Sequence, residues 1–284
     1  MKVLTLVLTC AFIFLPSHNS YASDSKDLIN AAGKGDISTV RALLDKGVDV
    51  NAKIGGDWTA LMEACRAGHL DIVQLLLDRG ADVNAKAYEG TALIAASDSD
   101  HLDIVQLLLS KGADVNARGD GGWTTLMWAS MGGHPDVIKV LIAKGADVNA
   151  KDNLGMTVLM HVSECGPPAA AQVLLSKGAD VNARDNHGST ALVYAVGTRM
   201  DRADIVQALI SKGADVNVKG DGGWTALSIA RKNWHLQSLR LLIAAGAKGD
   251  IVISIKKLYT VLCDLRKCPP LKGRTFLSFN RSKS

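Results

Sequence analysis

The chain has 284 residues, 48% of them hydrophobic and 21% charged, and a formal net charge of +4. This composition excludes a disordered chain, a collagen-like chain and a disulfide-dense scaffold. A polytopic membrane protein is also excluded, because the one long apolar run lies at the extreme N-terminus. Residues 249–284 hold eight Lys or Arg and two acids, whereas residues 23–248 carry a net charge of −3. The basic balance belongs to this tail, so we expect no nucleic-acid partner.

Residues 1–22 have the pattern of a secretory signal peptide. Lys2 is followed by thirteen uncharged residues, Pro16 breaks the run, and Ser20–Ala22 places small residues where a signal peptidase cuts. Thirteen residues are too few to span a bilayer. The sequence therefore predicts cleavage before Ser23, and an uncleaved N-terminal anchor is the alternative.

A repeat with a period close to 33 residues dominates the rest of the chain. A string of the type Gly-Ala-Asp-Val-Asn recurs at intervals of 32 to 35 residues, and its last copy is degenerate. Its glycines are Gly47, Gly80, Gly112, Gly145, Gly178, Gly213 and Gly246. This period is typical of a solenoid, in which each unit buries its apolar face only against its neighbours.

Each unit contains two helical patterns. In the unit that begins at Thr59 the predicted core positions follow helical spacing: Leu61, Ala64 and Cys65, then Ile72, Val73, Leu76 and Leu77. The second helix ends in a basic residue followed by a glycine. The positive charge interacts favourably with the negative end of the helix dipole, and glycine adopts the left-handed conformation that ends many helices.

Seven such units in register resemble the ankyrin repeat family over about Asp24 to Lys248. The resemblance implies an all-α solenoid with short β-hairpin fingers, built from a capping repeat and six further repeats over residues 23–248. It also implies a concave face that contacts partners. We number the six repeats after the capping repeat as units one to six. The fourth unit departs from the pattern at Cys165–Pro168, and the fifth carries two extra residues near Thr198–Arg202. We interpret both as loop adjustments in a continuous stack, and as candidates for its weakest joints.

No arrangement of residues typical of catalysis, metal binding or phosphate binding is present, so we predict no enzyme and no cofactor. Four histidines share one repeat position and are interpreted as structural: His69, His101, His134 and His235. The Gly-Gly pairs at 55–56, 121–122 and 222–223 fit tight hairpin turns. Cys263 and Cys268 in the tail could form a disulfide in an oxidising compartment, and the sequence leaves this open.

Aromatic residues mark the predicted partner-binding positions. Trp58, Trp123 and Trp224 each stand immediately before the Thr that opens a unit's first helix; Met156 holds the same place in the fourth unit, and Tyr88 lies nearby in the second. The resemblance places this register on the concave face, where Trp and Tyr are frequent hot spots. The alternative is that each Trp packs only on the next finger.

A second row of candidate positions is basic. It consists of Lys53, Lys86, Arg118, Lys151, Arg184 and Lys219, each two residues after the Asn of the recurrent string. Such a row could attract an acidic partner surface. We favour the interpretation of a solvated edge.

The tail carries a helical apolar stripe surrounded by lysine and arginine: Ile251, Ile255, Leu258, Leu262 and Leu265. It could cap the stack, contact a membrane or stay disordered until bound; we favour the cap. The sequence as a whole predicts a monomeric, non-enzymatic scaffold that binds an unidentified protein partner. We expect it to be exported, to a bacterial periplasm by the resemblance. The alternatives are a protein at the membrane surface or anchored in the inner membrane, and a secreted effector that binds a host protein.

Overall fold

The computed structural model describes residues 18–249, which form fourteen helices in seven consecutive pairs. The first helices of the pairs are α1 (His18–Lys34), α3 (Ala60–Ala67), α5 (Ala92–Asp98), α7 (Thr125–Gly132), α9 (Val158–Glu164), α11 (Ala191–Gly197) and α13 (Ala226–Lys232). The second helices are α2 (Ile37–Asp45), α4 (Leu70–Asp78), α6 (Leu102–Ser110), α8 (Pro135–Ala143), α10 (Pro168–Ser176), α12 (Ala203–Ser211) and α14 (Leu236–Ala244). The predicted helical solenoid of seven units is confirmed.

One predicted domain boundary lies within the first described helix and the other at the end of the described residues. Helix α1 begins at His18, so the predicted cleavage before Ser23 falls inside this helix. The apolar part of the predicted signal, the tail from residue 250 onwards and the Cys263–Cys268 pair all lie outside the described residues. The cleavage, the cap and the disulfide stay predictions.

The core is one continuous layer between the helices. First helices pack on the first helices of neighbouring units, and second helices pack on second helices. Among its fully buried side chains are Leu61, Met62, Ile72, Leu76, Leu93, Ile104, Leu108, Leu126, Met127, Ile138 and Leu141. Of the predicted core positions in the unit that begins at Thr59, all are buried except Leu77, which is half-buried. Burial also raises the pKa of the Cys65 thiol, as expected of a small core residue rather than a reactive cysteine.

The repeated Thr is the N-cap residue of every first helix from α3 to α13. The hydroxyl of Thr59 accepts a hydrogen bond from the Met62 amide, and Thr124 does the same for Met127. Such a cap satisfies one of the amides that the first turn leaves unpaired, and typically contributes about 1 kcal/mol. Thr190 is an exception and makes no side-chain cap bond.

The Asn of the recurrent string connects successive units. The side-chain amide of Asn84 donates to the Gly112 carbonyl at 3.0 Å, and its oxygen accepts from the Asp114 amide at 2.8 Å. The same pair of bonds is made by Asn51, Asn116, Asn149 and Asn182. Asn217 continues the series by accepting from the Lys248 amide. These bonds cross about 30 residues of sequence and explain why the string ends in Asn.

Hydrogen bonds connect the irregular fourth and fifth units. Both helices of the fourth unit form, and Pro168 is the first residue of α10, where proline is well tolerated. Arg202, in the enlarged connection of the fifth unit, donates to the carbonyls of Val162, Glu164 and Gly166 at the end of α9. The extra residues therefore bring a cation to the disturbed helix end, which confirms that the stack is continuous there.

Short hairpins precede the first helices, and we call them fingers. The first finger pairs β1 (Lys53–Ile54) with β2 (Trp58–Thr59) in antiparallel register. Later fingers keep a single bridge: Ala87 with Gly90, Arg118 with Thr124, Lys151 with Thr157, and Lys219 with Thr225. Gly121 and Gly122 turn the third finger with φ of 64° and 79°, a left-handed region that favours glycine. The predicted role of the Gly-Gly pairs is confirmed.

Candidate partner-binding surface

Two rows of first-helix residues lie on the helix face that the fingers contact. The row four residues after the repeat Thr comprises Glu63, Ala95, Trp128, His161, Tyr194 and Ile229. The row seven residues after it comprises Arg66, Asp98, Met131, Glu164, Gly197 and Lys232. Because these rows are three residues apart on each helix, they share one helix face. We call the fingers and these two rows together the finger surface.

The first Trp is held by hydrogen bonds. The Trp58 indole donates to the Glu63 carboxylate at 3.0 Å, and Arg66 donates to the same carboxylate at 2.6 Å. The bonds from Arg66 and, less strongly, from Trp58 hold the pKa of Glu63 below its usual value. With Tyr88 and Glu89 of the next finger, these residues line an open pocket of about 550 Å³.

An aromatic cluster occupies the centre of the finger surface. The Trp123 ring centroid lies 5.1 Å from that of Trp128 and 4.4 Å from that of His161. The cluster therefore joins the third unit to the fourth. Beneath it, the His161 ring is 2.8 Å from the buried Asp152 carboxylate, which also accepts the amides of Leu154 and Met156. One carboxylate thus fixes both the fourth finger and the orientation of the imidazole.

The fifth unit repeats this arrangement with a tyrosine. The Tyr194 hydroxyl donates to the Asp185 carboxylate at 2.5 Å, and Asp185 also accepts the amides of His187 and Ser189. Burial and then the Asp185 hydrogen bond raise the pKa of Tyr194. The sequence analysis missed Trp128, His161 and Tyr194. The signal that could have found two of them is the nine-residue interval from an Asp in the finger to a polar ring on the first helix.

The predicted aromatic positions differ in exposure. Tyr88 is 71% exposed and Trp224 is 47% exposed, whereas Trp58 and Trp123 are half-buried. Met156 is only 6% exposed, so the expectation that it offers a surface to a partner needs correction. The turn held by Asp152 directs Met156 inward and leaves Leu154 at the finger tip.

The residues of the basic row are exposed, and some of them form hydrogen bonds between neighbouring fingers. Arg118 donates to the carbonyls of Gly122 at 2.9 Å and Lys151 at 2.7 Å. Lys151 in turn donates to the Arg184 carbonyl at 2.7 Å. Lys53 lies 3.5 Å from the Asp57 carboxylate of its own finger. Lys86, Arg184 and Lys219 are exposed at the same edge. The centre of this row therefore helps to align neighbouring fingers.

Comparison with known families accounts for this architecture. The family model described as "Ankyrin repeats (3 copies)" matches residues 28–119, 117–185 and 185–254. The chain belongs to the ankyrin repeat family. Ankyrin repeats generally mediate protein–protein interaction and generally act as non-enzymatic scaffolds. The crystal structure of the human ASB11 ankyrin repeat domain superposes with a TM-score of 0.69 at 24% identity, covering 78% of this chain and 98% of that one. This likeness concerns the fold. Curated proteins give no match.

Three of the four repeat histidines play the structural part expected of them in this ankyrin stack. The ring Nε2 atoms of His69, His101 and His134 lie 2.9–3.2 Å from carbonyls near the ends of the preceding first helices. These carbonyls belong to Gly33, Arg66 and Asp98. Each contact satisfies an acceptor that the helix end leaves open. His235 is buried and makes no such bond within residues 18–249.

The described residues hold neither a metal-binding cluster nor a membrane-spanning helix. No group of three or more His, Cys, Asp or Glu side chains in residues 18–249 could hold a metal ion. Over the same residues, no helix is both long and apolar enough to cross a bilayer.

Proposed function

We propose that this ankyrin repeat protein is a binding scaffold that receives a protein partner on its finger surface. The observation that carries the proposal is the cluster of Trp123, Trp128 and His161, set at the centre of the surface over a buried carboxylate. Trp and Tyr contribute large contact areas at a low cost in entropy, and hot spots concentrate near the centre of interfaces. Tyr88 and Trp224 extend the aromatic surface on either side.

The second-helix side of the stack has a different character. An open pocket between α4 and α6 has Asp71, Gln74, Asp103 and Gln106 among its lining residues. It contains no aromatic ring other than the imidazole of His69. The contrast favours the finger surface as the side that contacts a partner.

Site-directed photo-crosslinking tests which side is used. A benzophenone amino acid replaces Tyr88 in one variant and the exposed Gln106 of α6 in a matched control variant. After irradiation in cells of the native host, we expect a discrete crosslinked species from position 88 and none from position 106. A crosslink confined to position 106 would place the partner on the second helices and contradict the proposal.

We further propose that the protein is exported and that its mature form begins at Ser23. The support is the short apolar run and the small residues of Ser20–Ala22. We expect intact-mass measurement on protein purified from the native host to show a chain without residues 1–22. A mass that retains these residues would contradict cleavage. The binding proposal does not depend on this result.

A further inference from the structure

Each Trp of the finger register can be compared with the residue eight positions later, which lies on the first helix of the same unit. The pairs are Trp58 with Arg66, Trp123 with Met131, and Trp224 with Lys232. In the last of these, the Lys232 ammonium lies 5.2 Å from the Trp224 ring centroid, a cation–π contact. The repeat geometry therefore lets a cation in this row reach the face of the Trp.

The first unit also supplies its own cation. Arg66 binds the carboxylate of Glu63, and the same carboxylate accepts the Trp58 indole hydrogen bond. The third unit breaks this rule because Met131 is uncharged. Trp123 is thus the one Trp of the register whose own unit places no cation in the row beside it.

The neighbouring units place carboxylates on both sides of that position. Asp98 of α5 and Glu164 of α9 occupy the same row as Met131, and α7 packs between these two helices. Both acidic residues are exposed, and neither makes an ion pair within residues 18–249. The row therefore reads acidic, neutral, acidic across the centre of the finger surface.

We infer that the partner presents a lysine or arginine side chain to this position, over the Trp123 ring and between Asp98 and Glu164. The inference rests on the proposed function and specifies the chemistry of the partner. Trp128, tilted 53° to Trp123, offers a second ring to the same cation. A positive charge over the aromatic face is attracted by the ring quadrupole, and the carboxylates on the two flanking helices add a longer-range attraction that salt weakens.

Other features agree with a cationic rather than an acidic partner at this point. Arg118 and Lys151, the cations of the adjacent fingers, donate to backbone carbonyls between fingers. Burial, the Asp185 hydrogen bond and the charges of Asp185, Glu164 and Asp152 together raise the pKa of Tyr194. The buried carboxylates of Asp152 and Asp185 thus lie against the first helices at the fourth and fifth fingers.

A peptide titration of the full chain tests the inference. The probes are a hexa-arginine peptide and a hexa-glutamate peptide, and binding is followed calorimetrically at low ionic strength. We expect saturable binding of hexa-arginine only. Met131→Lys supplies the internal cation that Lys232 supplies to Trp224, and should weaken hexa-arginine binding about fivefold, within the range of a cation–π contact. Met131→Gln introduces a polar side chain of similar length without a charge, and it should bind hexa-arginine more tightly than Met131→Lys does.

A charge variant separates this site from general attraction to an acidic surface. Glu164→Gln should weaken hexa-arginine binding, whereas Asp136→Asn, which removes an exposed acid on α8, should not. Far-UV circular dichroism checks that all variants are folded. Three results would each overturn the inference: no saturable hexa-arginine binding, hexa-glutamate binding of equal strength, or equal affinities for Met131→Lys and Met131→Gln. The proposed function would still stand if position 88 crosslinks to a partner.

Discussion

Truncating Leu76 to alanine is expected to lower the free energy of unfolding by about 2–5 kcal/mol, the usual range for a core leucine that leaves a cavity. Leu76 is fully buried on α4, which packs against α2 and α6 of the adjoining units. Neighbouring units cannot move together to fill the cavity without disturbing the asparagine hydrogen bonds that connect their turns. Urea unfolding followed by far-UV circular dichroism measures the loss.

Leu70→Ala is the matched control, since Leu70 opens the same helix and is 38% exposed. It should lower the free energy of unfolding by clearly less than Leu76→Ala does, because the truncation removes less buried apolar surface. In a repeat array the damage from Leu76→Ala appears either as a lowered midpoint or as a separate early transition. An unfolding curve identical to that of the wild type would mean that the core register is wrong.

The stack could be predicted from the sequence because each unit carries the same local pattern. Apolar positions at helical spacing and a terminal glycine specify two helices, and repetition at a fixed period specifies their packing. The hydrogen bonds between units could not be predicted in the same way. Asn84 bonds to Gly112 and Asp114, and Arg202 bonds to the end of α9, across some 30 to 40 residues. Nothing in the pattern of one unit indicates such partners.

The sequence predicts partner-binding positions at one register of the repeat, and binding there stays a prediction. The register of Trp58, Trp123 and Trp224 lies on the finger surface, but Met156 at the same position points inward because the Asp152 turn reshapes its finger. The pairing of Asp152 with His161 joins a finger to a first helix, and periodicity alone does not show which side chains meet there. Local differences between equivalent units decide these contacts.

Trp123→Ala is expected to weaken binding of the native partner by about thirtyfold, equivalent to about 2 kcal/mol, as for a typical central hot spot. Trp123 has intact units on both sides, and its ring is the one that joins Trp128 to His161. Removing it takes away the middle of the aromatic surface. Most of the melting temperature should remain, because the helix core beneath is unchanged. Calorimetric titration with the crosslinked partner, once identified and purified, measures the loss.

The most direct test of the central claim is the ratio of partner dissociation constants for Trp123→Ala and Trp234→Ala, each measured on protein shown to be folded. Trp234 is exposed between α13 and α14 and lies outside the finger register. If the finger surface binds the partner, the first variant loses about thirtyfold in affinity and the second binds as the wild type does. The claim is contradicted if Trp123→Ala melts much earlier than the wild type while its folded fraction binds normally, since the aromatic row would then be structural.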